Sequence, residues 1–134
     1  MLFRVDFVTY NGTYRSIETD KLTLPAIEGR RTLLSNHMPT MIPIDIGVIE
    51  TSVDNKLSHW AVSDGMVLFE DNVATVLCDE IISVEEINIE EAQAAINKAR
   101  KKLAGASRES DIMRARVALA RATNLIDLKN KYFN

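Results

Sequence analysis

The chain has few of the residues that build catalytic and metal sites. Its 134 residues include one cysteine and two histidines. The single cysteine, Cys78, excludes an intramolecular disulfide, and its apolar neighbours are typical of a buried thiol. Because no His-x-x-x-His or Cys-x-x-Cys pair occurs, the sequence predicts no structural zinc site and no other metal site.

Glycine is also scarce, with five in the whole chain. None belongs to a G-x-x-x-x-G-K-S/T loop, a G-x-G-x-x-G loop or a G-x-S-x-G elbow, which hold phosphates or present a nucleophilic serine. The many carboxylates follow turns and helix starts and do not converge on one site. We therefore expect no enzyme activity and no cofactor.

The sequence lacks a long hydrophobic run. No stretch approaches the roughly 20 apolar residues that span a membrane. Arg4 and Asp6 interrupt the apolar N-terminus, which excludes a signal-peptide core there. We expect no direct membrane insertion, and a chain that is cytosolic or bound to a membrane complex only through partners.

Positive charge is sparse in the first part of the chain and abundant in the last. Residues 1–84 carry 6 Lys/Arg and 12 Asp/Glu, whereas residues 85–134 carry 10 Lys/Arg and 7 Asp/Glu. The difference indicates two parts with different partners, with a solvated helical face as the simpler interpretation of the basic part. The acidic first part argues against nucleic-acid binding.

The first part alternates apolar and polar residues, as β-strands do. Phe3, Val5 and Phe7 fall on one face, and Thr13 to Ile17 is expected to pair back as a hairpin. Tight turns are predicted at Asn11-Gly12, Asp54-Asn55 and Asp71-Asn72. Short strands between closely spaced turns predict an antiparallel β-sandwich or barrel over residues 1–84. Without alternating helices, a parallel sheet is not expected.

One segment within this part, residues 28–47, has no clear alternation. Gly29, Pro39, Pro43 and Gly47 are interleaved with apolar residues. The simplest interpretation is a long, rigid loop that covers one end of the sandwich, with His37 hydrogen-bonded inside it.

The last part, residues 85–134, changes to helical spacing. Asn88 is a predicted N-cap and Glu91 completes a capping-box pattern. Gly105 predicts the end of this helix, and Ser107 or Ser110 the start of a second one. Small residues recur on the facing stripes of this predicted antiparallel hairpin: Ala92, Ala95, Ala99, Ala115, Ala118 and Ala122. Alanine buries little apolar area, so we expect a weakly held hairpin that is able to move.

Three segments, in this order, resemble the epsilon subunit of the F-type ATP synthase. The first is a Gly-bearing turn, an apolar pair and a His-x-Pro loop, seen as Gly29, Leu33-Leu34, Asn36-His37-Met38-Pro39 and Ile44-Asp45-Ile46-Gly47. The second is "WAVSDGMVLFEDNVATVLCDEI", and the third is the Arg-Ala-rich "SDIMRARVALARATN". The resemblance spans nearly the whole chain. It departs at Arg31 and Asp64, where the family usually has Gly, and at Ser35, where it usually has Pro.

The resemblance implies a non-catalytic rotor subunit of the central stalk, which couples ion-driven rotation of the c-subunit ring to ATP synthesis through the gamma subunit. The sandwich would bind gamma and the ring, with Arg30, Arg31, Asn36, His37 and Pro39 at that interface. The complex would lie peripherally on the cytoplasmic face of a bacterial inner membrane.

For the helical hairpin, the resemblance implies a mobile arm that extends toward the alpha/beta catalytic head and inhibits ATP hydrolysis. Arg114, Arg116 and Arg121 match basic positions of the family's last helix, and Lys98 and Arg100 lie on the first. We hypothesise that these five cations stabilise the extended state.

Some members of the family bind ATP at the hairpin through an Ile/Leu-Asp-x-x-Arg-Ala pattern. Here the same register reads Ile87, Asn88, Ile89, Glu90, Glu91 and Ala92. A carboxylate in place of the arginine repels a polyphosphate, so we predict no ATP binding below millimolar concentration. The alternative to a rotor subunit is a free-standing protein-binding adaptor of the same architecture, and an enzyme ranks behind both.

Overall fold

A computed structural model describes residues 1–133 and divides the chain into two compact units, Met1–Ser83 and a second that begins at Val84. The first unit contains ten strands: β1 Phe3–Thr9, β2 Gly12–Thr19, β3 Lys21–Ala26, β4 Gly29–Leu34, β5 Thr40–Ile44, β6 Gly47–Val53, β7 Lys56–Val62, β8 Gly65–Glu70, β9 Val73–Cys78 and β10 Ile81–Ser83. The second contains a 3-10 turn at Val84–Glu86 and two helices, α1 Ile89–Gly105 and α2 Glu109–Phe133. The predicted fold class is confirmed.

The strands form a β-sandwich whose two layers are parts of one continuous sheet. One layer has the order β10-β7-β6-β3-β4, and the other has the order β5-β8-β9-β1-β2. The layers meet where Ala26 of β3 pairs with Ile44 of β5, and where Asp20 leads from β2 into β3. At the second corner Thr19 Oγ1 lies 3.0 Å from Ser52 O, so the sheet is nearly closed.

One strand pair departs from the predicted antiparallel arrangement. β1 pairs with β2 antiparallel, but it pairs with β9 in parallel, with Val5 opposite Ala74 and Phe7 opposite Val76. Sequence periodicity carries no information on which distant strand pairs with β1. In this nearly closed sheet the parallel contact joins β1 to β9, and both strands bury alternate residues in the same core.

The core of the sandwich is built from large apolar side chains of both layers. Phe7 of β1 packs on Trp60 of β7 with ring centroids 4.7 Å apart, and Phe3 meets Phe69 edge to face at 5.4 Å. Cys78 is buried in the same cluster, as its apolar neighbours predicted. The Phe7–Trp60 contact joins the two layers, the Phe3–Phe69 contact lies within one of them, and both add to the free energy gained from burial.

The tight turns match the sequence signals. Both residues of Asp54-Asn55 and of Asp71-Asn72 have positive φ, between 51° and 65°, as two-residue hairpin loops require. The first turn falls one residue earlier than predicted: Tyr10 and Asn11 connect the strands, and Gly12, with φ 108°, begins β2.

Segment 28–47 is not a long loop, and that interpretation was wrong. It holds two strands, β4 and β5, and leaves Ser35 to Pro39 as the connection between them. β4 buries Leu33 alone, so it shows no alternation in its sequence. Pro43 lies in β5 and argued against a strand, yet proline is tolerated where a strand lies near a sheet edge.

The helices begin and end for reasons that the sequence predicted in part. Asn88 is the N-cap of α1, because its Oδ1 accepts a hydrogen bond from Glu91 N at 3.0 Å. The C-terminal end differs from the prediction: Gly105 is still helical and Ala106 ends the helix in an extended conformation. The first α2 bond runs from Ile112 N to Arg108 O, so neither Ser107 nor Ser110 occupies its N-cap position.

Small residues form much of the buried surface of the helical unit. Ala92, Ala99, Ala115 and Ala122 are 3–4% exposed. Ala95 and Ala118 were placed on the same stripes but are exposed. In α2, Ala118 lies about 60° around the helix from Ala115 and about 40° from Ala122, because each residue advances by about 100°. Ala118 therefore lies beside the buried stripe and not on it.

Candidate functional site

The connection between β4 and β5, Ser35 to Pro39, is defined here as the crossing loop, because it joins the two layers of the sandwich. Asn36 has φ 65°, and His37 N donates to Leu34 O at 3.2 Å to close a tight turn. His37 Nδ1 lies 2.8 Å from Met38 O, and its ring meets Phe69 edge to face at 6.0 Å. The loop is therefore ordered by its own contacts and by the core beneath it.

A residue from a different turn also holds the crossing loop. Asn36 N donates to Asn72 Oδ1 at 2.7 Å, and Ser35 Oγ lies 3.1 Å from Asn72 Nδ2. The sequence predicts Asn72 only as a turn residue. No local signal marks this contact, because the two segments are 36 residues apart in the chain.

Large apolar side chains are exposed on and beside the crossing loop. Met38 in the loop is 72% exposed, Leu34 before it 52%, and Met41 after it 63%. Exposed apolar side chains concentrated in one region are typical of protein-binding surfaces.

The five residues predicted for the interface fall in two places. Asn36, His37 and Pro39 share the crossing loop, whereas Arg30 and Arg31 are exposed on strand β4 opposite Pro25 and Leu24. Arg30 and Asn36 are six residues apart along a nearly extended segment, which corresponds to roughly 20 Å at about 3.3 Å per residue. The structure therefore places two arginines on the β4 edge and three residues at its far end.

The start of α1, where some family members bind ATP, is occupied by structural residues. Ile87 and Ala92 are 5% and 3% exposed, so their side chains are packed inside the protein. The Asn88 side chain is used in the helix cap, and Glu91 is exposed with Glu90 beside it in the first turn. Two carboxylates at this end suit the helix dipole and oppose a phosphate.

The five cations predicted to contact the catalytic head do not form one stripe. On α2, Arg114 and Arg121 are seven residues apart and share a face, whereas Arg116 lies on the other side of the buried alanines. Arg121 is half-buried, and Arg114 and Arg116 are exposed, as are Lys98 and Arg100 of α1.

Arg114 also lines an open groove between the two helices near their connection. The groove has a volume of about 640 Å³, and its charged lining residues are Lys101, Lys102, Asp111 and Arg114. Its floor consists of small residues, Ala99, Gly105, Ala106, Ala115 and Ala118. Two lysines outside the predicted set thus join Arg114, so the groove lining carries three cations and one carboxylate.

Two absences hold for residues 1–133. None of the described helices is long and apolar enough to cross a membrane. The part of the chain that the structure describes has no group of three or more His, Cys, Asp or Glu side chains placed to hold a metal ion.

The fold defines a class: a β-sandwich followed by two α-helices. Two family models match in the same order. Residues 2–84 match the β-sandwich domain of the ATP synthase delta/epsilon chain, and residues 85–130 match its long α-helix domain. The chain therefore belongs to the ATP synthase delta/epsilon chain family, as an epsilon chain.

Curated relatives agree with this assignment. The ATP synthase epsilon chain of Lactobacillus helveticus (strain DPC 4571) is 38% identical over 136 residues, covering 96% of this chain and 93% of the relative. That of Lactobacillus delbrueckii subsp. bulgaricus (strain ATCC BAA-365 / Lb-18) is 36% identical, covering 93% of this chain and 90% of the relative.

Solved structures support the fold. A chain in a cryo-EM structure of the Euglena gracilis mitochondrial ATP synthase that includes the c-ring has a TM-score of 0.71 at 21% identity, covering 92% of this chain and 78% of that one. A chain of the Tetrahymena thermophila mitochondrial ATP synthase, from a structure of its central stalk and c-ring, has a TM-score of 0.62 at 11% identity, covering 94% of this chain and 95% of that one.

Proposed function

We propose that this chain is a non-catalytic rotor subunit in the central stalk of a bacterial ATP synthase. The observation that carries the proposal is the match of both family domains, in order, to a chain whose relatives are epsilon chains. In this role it couples rotation of the c-subunit ring to ATP synthesis through the gamma subunit. The subunit lies peripherally, on the cytoplasmic face of the membrane.

The sandwich supplies the stalk contacts in this proposal. The crossing loop and the β4 edge, with Arg30 and Arg31, form the surface that meets the gamma subunit and the ring. Exposed Leu34, Met38 and Met41 support this role, because apolar side chains on an ordered loop bind a partner at a small entropic cost.

A free-standing adaptor is the alternative, and family membership does not favour it. Co-purification separates the two roles. A tagged chain expressed with its own ATP synthase subunits is expected to bring down a gamma-type coiled coil at equal stoichiometry. Recovery of the full chain without gamma, under conditions that keep the remaining complex intact, would contradict the rotor proposal.

The helical hairpin is the inhibitory arm in this proposal. Its interface of small residues stabilises the folded hairpin weakly, and four of the five predicted cations, all except Arg121, are exposed and available to an acidic stretch of the catalytic head. Each exposed ion pair contributes only about 0–1 kcal/mol, so several must act together to bias a two-state element.

The electrostatic part is tested with the triple variant Arg114→Ala, Arg116→Ala and Arg121→Ala in the assembled complex. Three lost pairs are expected to raise ATP hydrolysis by about threefold to tenfold. The matched control replaces the same three residues by Lys, which keeps the charges and is expected to retain inhibition. Unchanged hydrolysis by the Ala variant, with assembly intact, would remove the electrostatic role.

The arm as a whole is tested by comparing hydrolysis by complexes with the full chain and with residues 86–134 removed. Deletion is expected to increase hydrolysis more than the triple Ala variant does. Equal hydrolysis by the two complexes, at equal occupancy of the subunit, would show that the hairpin does not inhibit this ATP synthase.

A further inference from the structure

Asn72 has contacts that its position in a turn does not require. It is the second residue of the Asp71-Asn72 turn between β8 and β9, with φ 61°. A residue there needs only to tolerate a positive φ, and glycine or asparagine satisfies that need. The Asn72 side chain nevertheless extends to the crossing loop.

The geometry of the amide fixes its orientation. The backbone N–H of Asn36 can only donate, so the atom 2.7 Å from it must be the acceptor Oδ1. Nδ2 then lies 3.1 Å from Ser35 Oγ, which accepts its hydrogen bond. One side chain therefore binds two successive residues of the crossing loop, through a main-chain group and a side-chain group.

The main chain of Asn72 connects this contact to the sheet. Its carbonyl oxygen accepts a hydrogen bond from Arg4 N at 3.4 Å, directly before the parallel ladder of β1 and β9. The crossing loop is thereby attached to the junction of β1, β8 and β9. These three strands bury Phe3, Phe69 and Val76 in the core, so they form a rigid base for it.

Asn55 provides an internal reference for this residue. It occupies the same position of a second Asp-Asn turn, between β6 and β7, with φ 65°. Asn55 is exposed, whereas Asn72 is half-buried against the crossing loop. The two asparagines share a backbone conformation and differ in what the side chain contacts.

We propose that Asn72 is a positioning residue that fixes the crossing loop in the geometry with which it meets the c-subunit ring. The inference rests on the proposed function, because the ring is one of the two partners assigned to the surface that includes this loop. Ser35 takes part through its hydroxyl group, at a position where a proline would offer no side-chain hydrogen bond.

The first experiment measures the hydrogen exchange rate of the Asn36 amide by NMR in the full chain. Asn72→Gly keeps the positive-φ turn and removes the side chain, and is expected to accelerate exchange at Asn36 about fivefold to tenfold. Asn55→Gly is the matched control and is expected to leave that rate unchanged. Asn72→Asp retains the acceptor and is expected to preserve protection. Equal Asn36 exchange in wild type and Asn72→Gly would overturn the positioning role, whatever the ring assay shows.

The second experiment measures binding of the complex of this chain and gamma to detergent-solubilised c-subunit ring. Asn72→Gly is expected to weaken binding about threefold to tenfold, with Asn55→Gly and Asn72→Asp close to wild type. If Asn36 exchange accelerates while ring affinity is unchanged, the loop is still held by Asn72, but its assignment to the ring fails. If the wild-type complex does not bind the ring at all, the rotor proposal itself is contradicted.

Discussion

The sandwich and the helical hairpin bury side chains of different size. Fully buried residues of the sandwich are large, such as Phe7, Phe69 and Leu22, at 0–1% exposure. Four of the six residues buried along the two helices are alanine, and only Ile96 and Leu128 are larger. Because burial contributes about 25 cal/mol per Å² of apolar surface, each contact between the helices is worth far less than one in the sandwich.

This difference suits the functions proposed for the two units. A partner surface such as the crossing loop must keep its geometry, and it is attached to strands with a dense core. A regulatory arm must exchange between arrangements, and a weakly held hairpin requires little free energy to do so. Substitutions made in one unit at a time test this difference.

The largest effect is expected from Phe7→Ala in the sandwich. Removing a ring that packs on Trp60 at 4.7 Å is expected to lower the free energy of unfolding by about 3–5 kcal/mol. Trp60 is the only tryptophan, so its fluorescence in a denaturant titration reports on this unit. The control is Tyr10→Ala, because Tyr10 lies in the turn after β1 and is 84% exposed. It is expected to change the free energy of unfolding little. A loss below about 1 kcal/mol for Phe7→Ala would contradict a tightly packed core.

A smaller effect is expected from Ile96→Ala in α1. Ile96 is 6% exposed and is one of the few large buried residues of the helices, so its loss is expected to cost about 2–3 kcal/mol of helical-unit stability. Helical circular dichroism follows this transition, while Trp60 fluorescence is expected to keep its wild-type midpoint. Ile89→Ala, at a position that is 37% exposed, is the control. A shift of both signals together would show that the units do not unfold separately.

The N-cap of α1 is expected to contribute less to the stability of the helical unit than Ile96 does. Asn88→Ala removes the acceptor for Glu91 N and is expected to destabilise the helical unit by about 1 kcal/mol. Asn88→Ser and Asn88→Asp supply an equivalent side-chain oxygen and are expected to stay close to wild type. Equal helical stability in Asn88→Ala and Asn88→Ser would show that the side-chain cap does not stabilise the helical unit.

The smallest effect is expected for the heat released when ATP is added to the full chain. Because Glu90 and Glu91 repel a polyphosphate at the start of α1, calorimetry is expected to give no saturable heat below millimolar ATP. The double change Asn88→Asp and Glu91→Arg brings this register to the family pattern and is expected to strengthen binding. Micromolar affinity in the unaltered chain would contradict the prediction.

Much of the fold could be predicted from residues that are neighbours in the sequence. Alternation predicted β1, paired turn residues predicted three hairpins, and Asn88 predicted the start of α1. β4 was missed because this exposed edge strand buries one residue and so lacks the apolar alternation that marks a strand. β5 buries Ile42 and Ile44 in alternation, but Pro43 between them argued against a strand. The exposure of Ala95 and Ala118 was also missed, because alanine spacing shows a stripe without fixing its width.

The interface residues stay a prediction, but one contact expected among them is observed. His37 was expected to hydrogen-bond inside its segment, and it does so with Met38 O. The role of Asn72 was not foreseen, since a turn residue with a second contact has the same sequence as one without it. Asn55 and Asn72 follow an aspartate in the same way, and only the surrounding fold distinguishes them.

Residues close together in the sequence specify the two periods, the turns with positive φ, the change of charge between the two parts and the helix cap. Each of these depends on residues within a few positions of one another, where propensity and periodicity act. The tertiary structure decided the parallel pairing of β1 with β9, the corner at Ala26 and Ile44, and the attachment of the crossing loop to Asn72. These contacts join residues 18 to about 70 positions apart, and only the packing of a shared core brings such residues together.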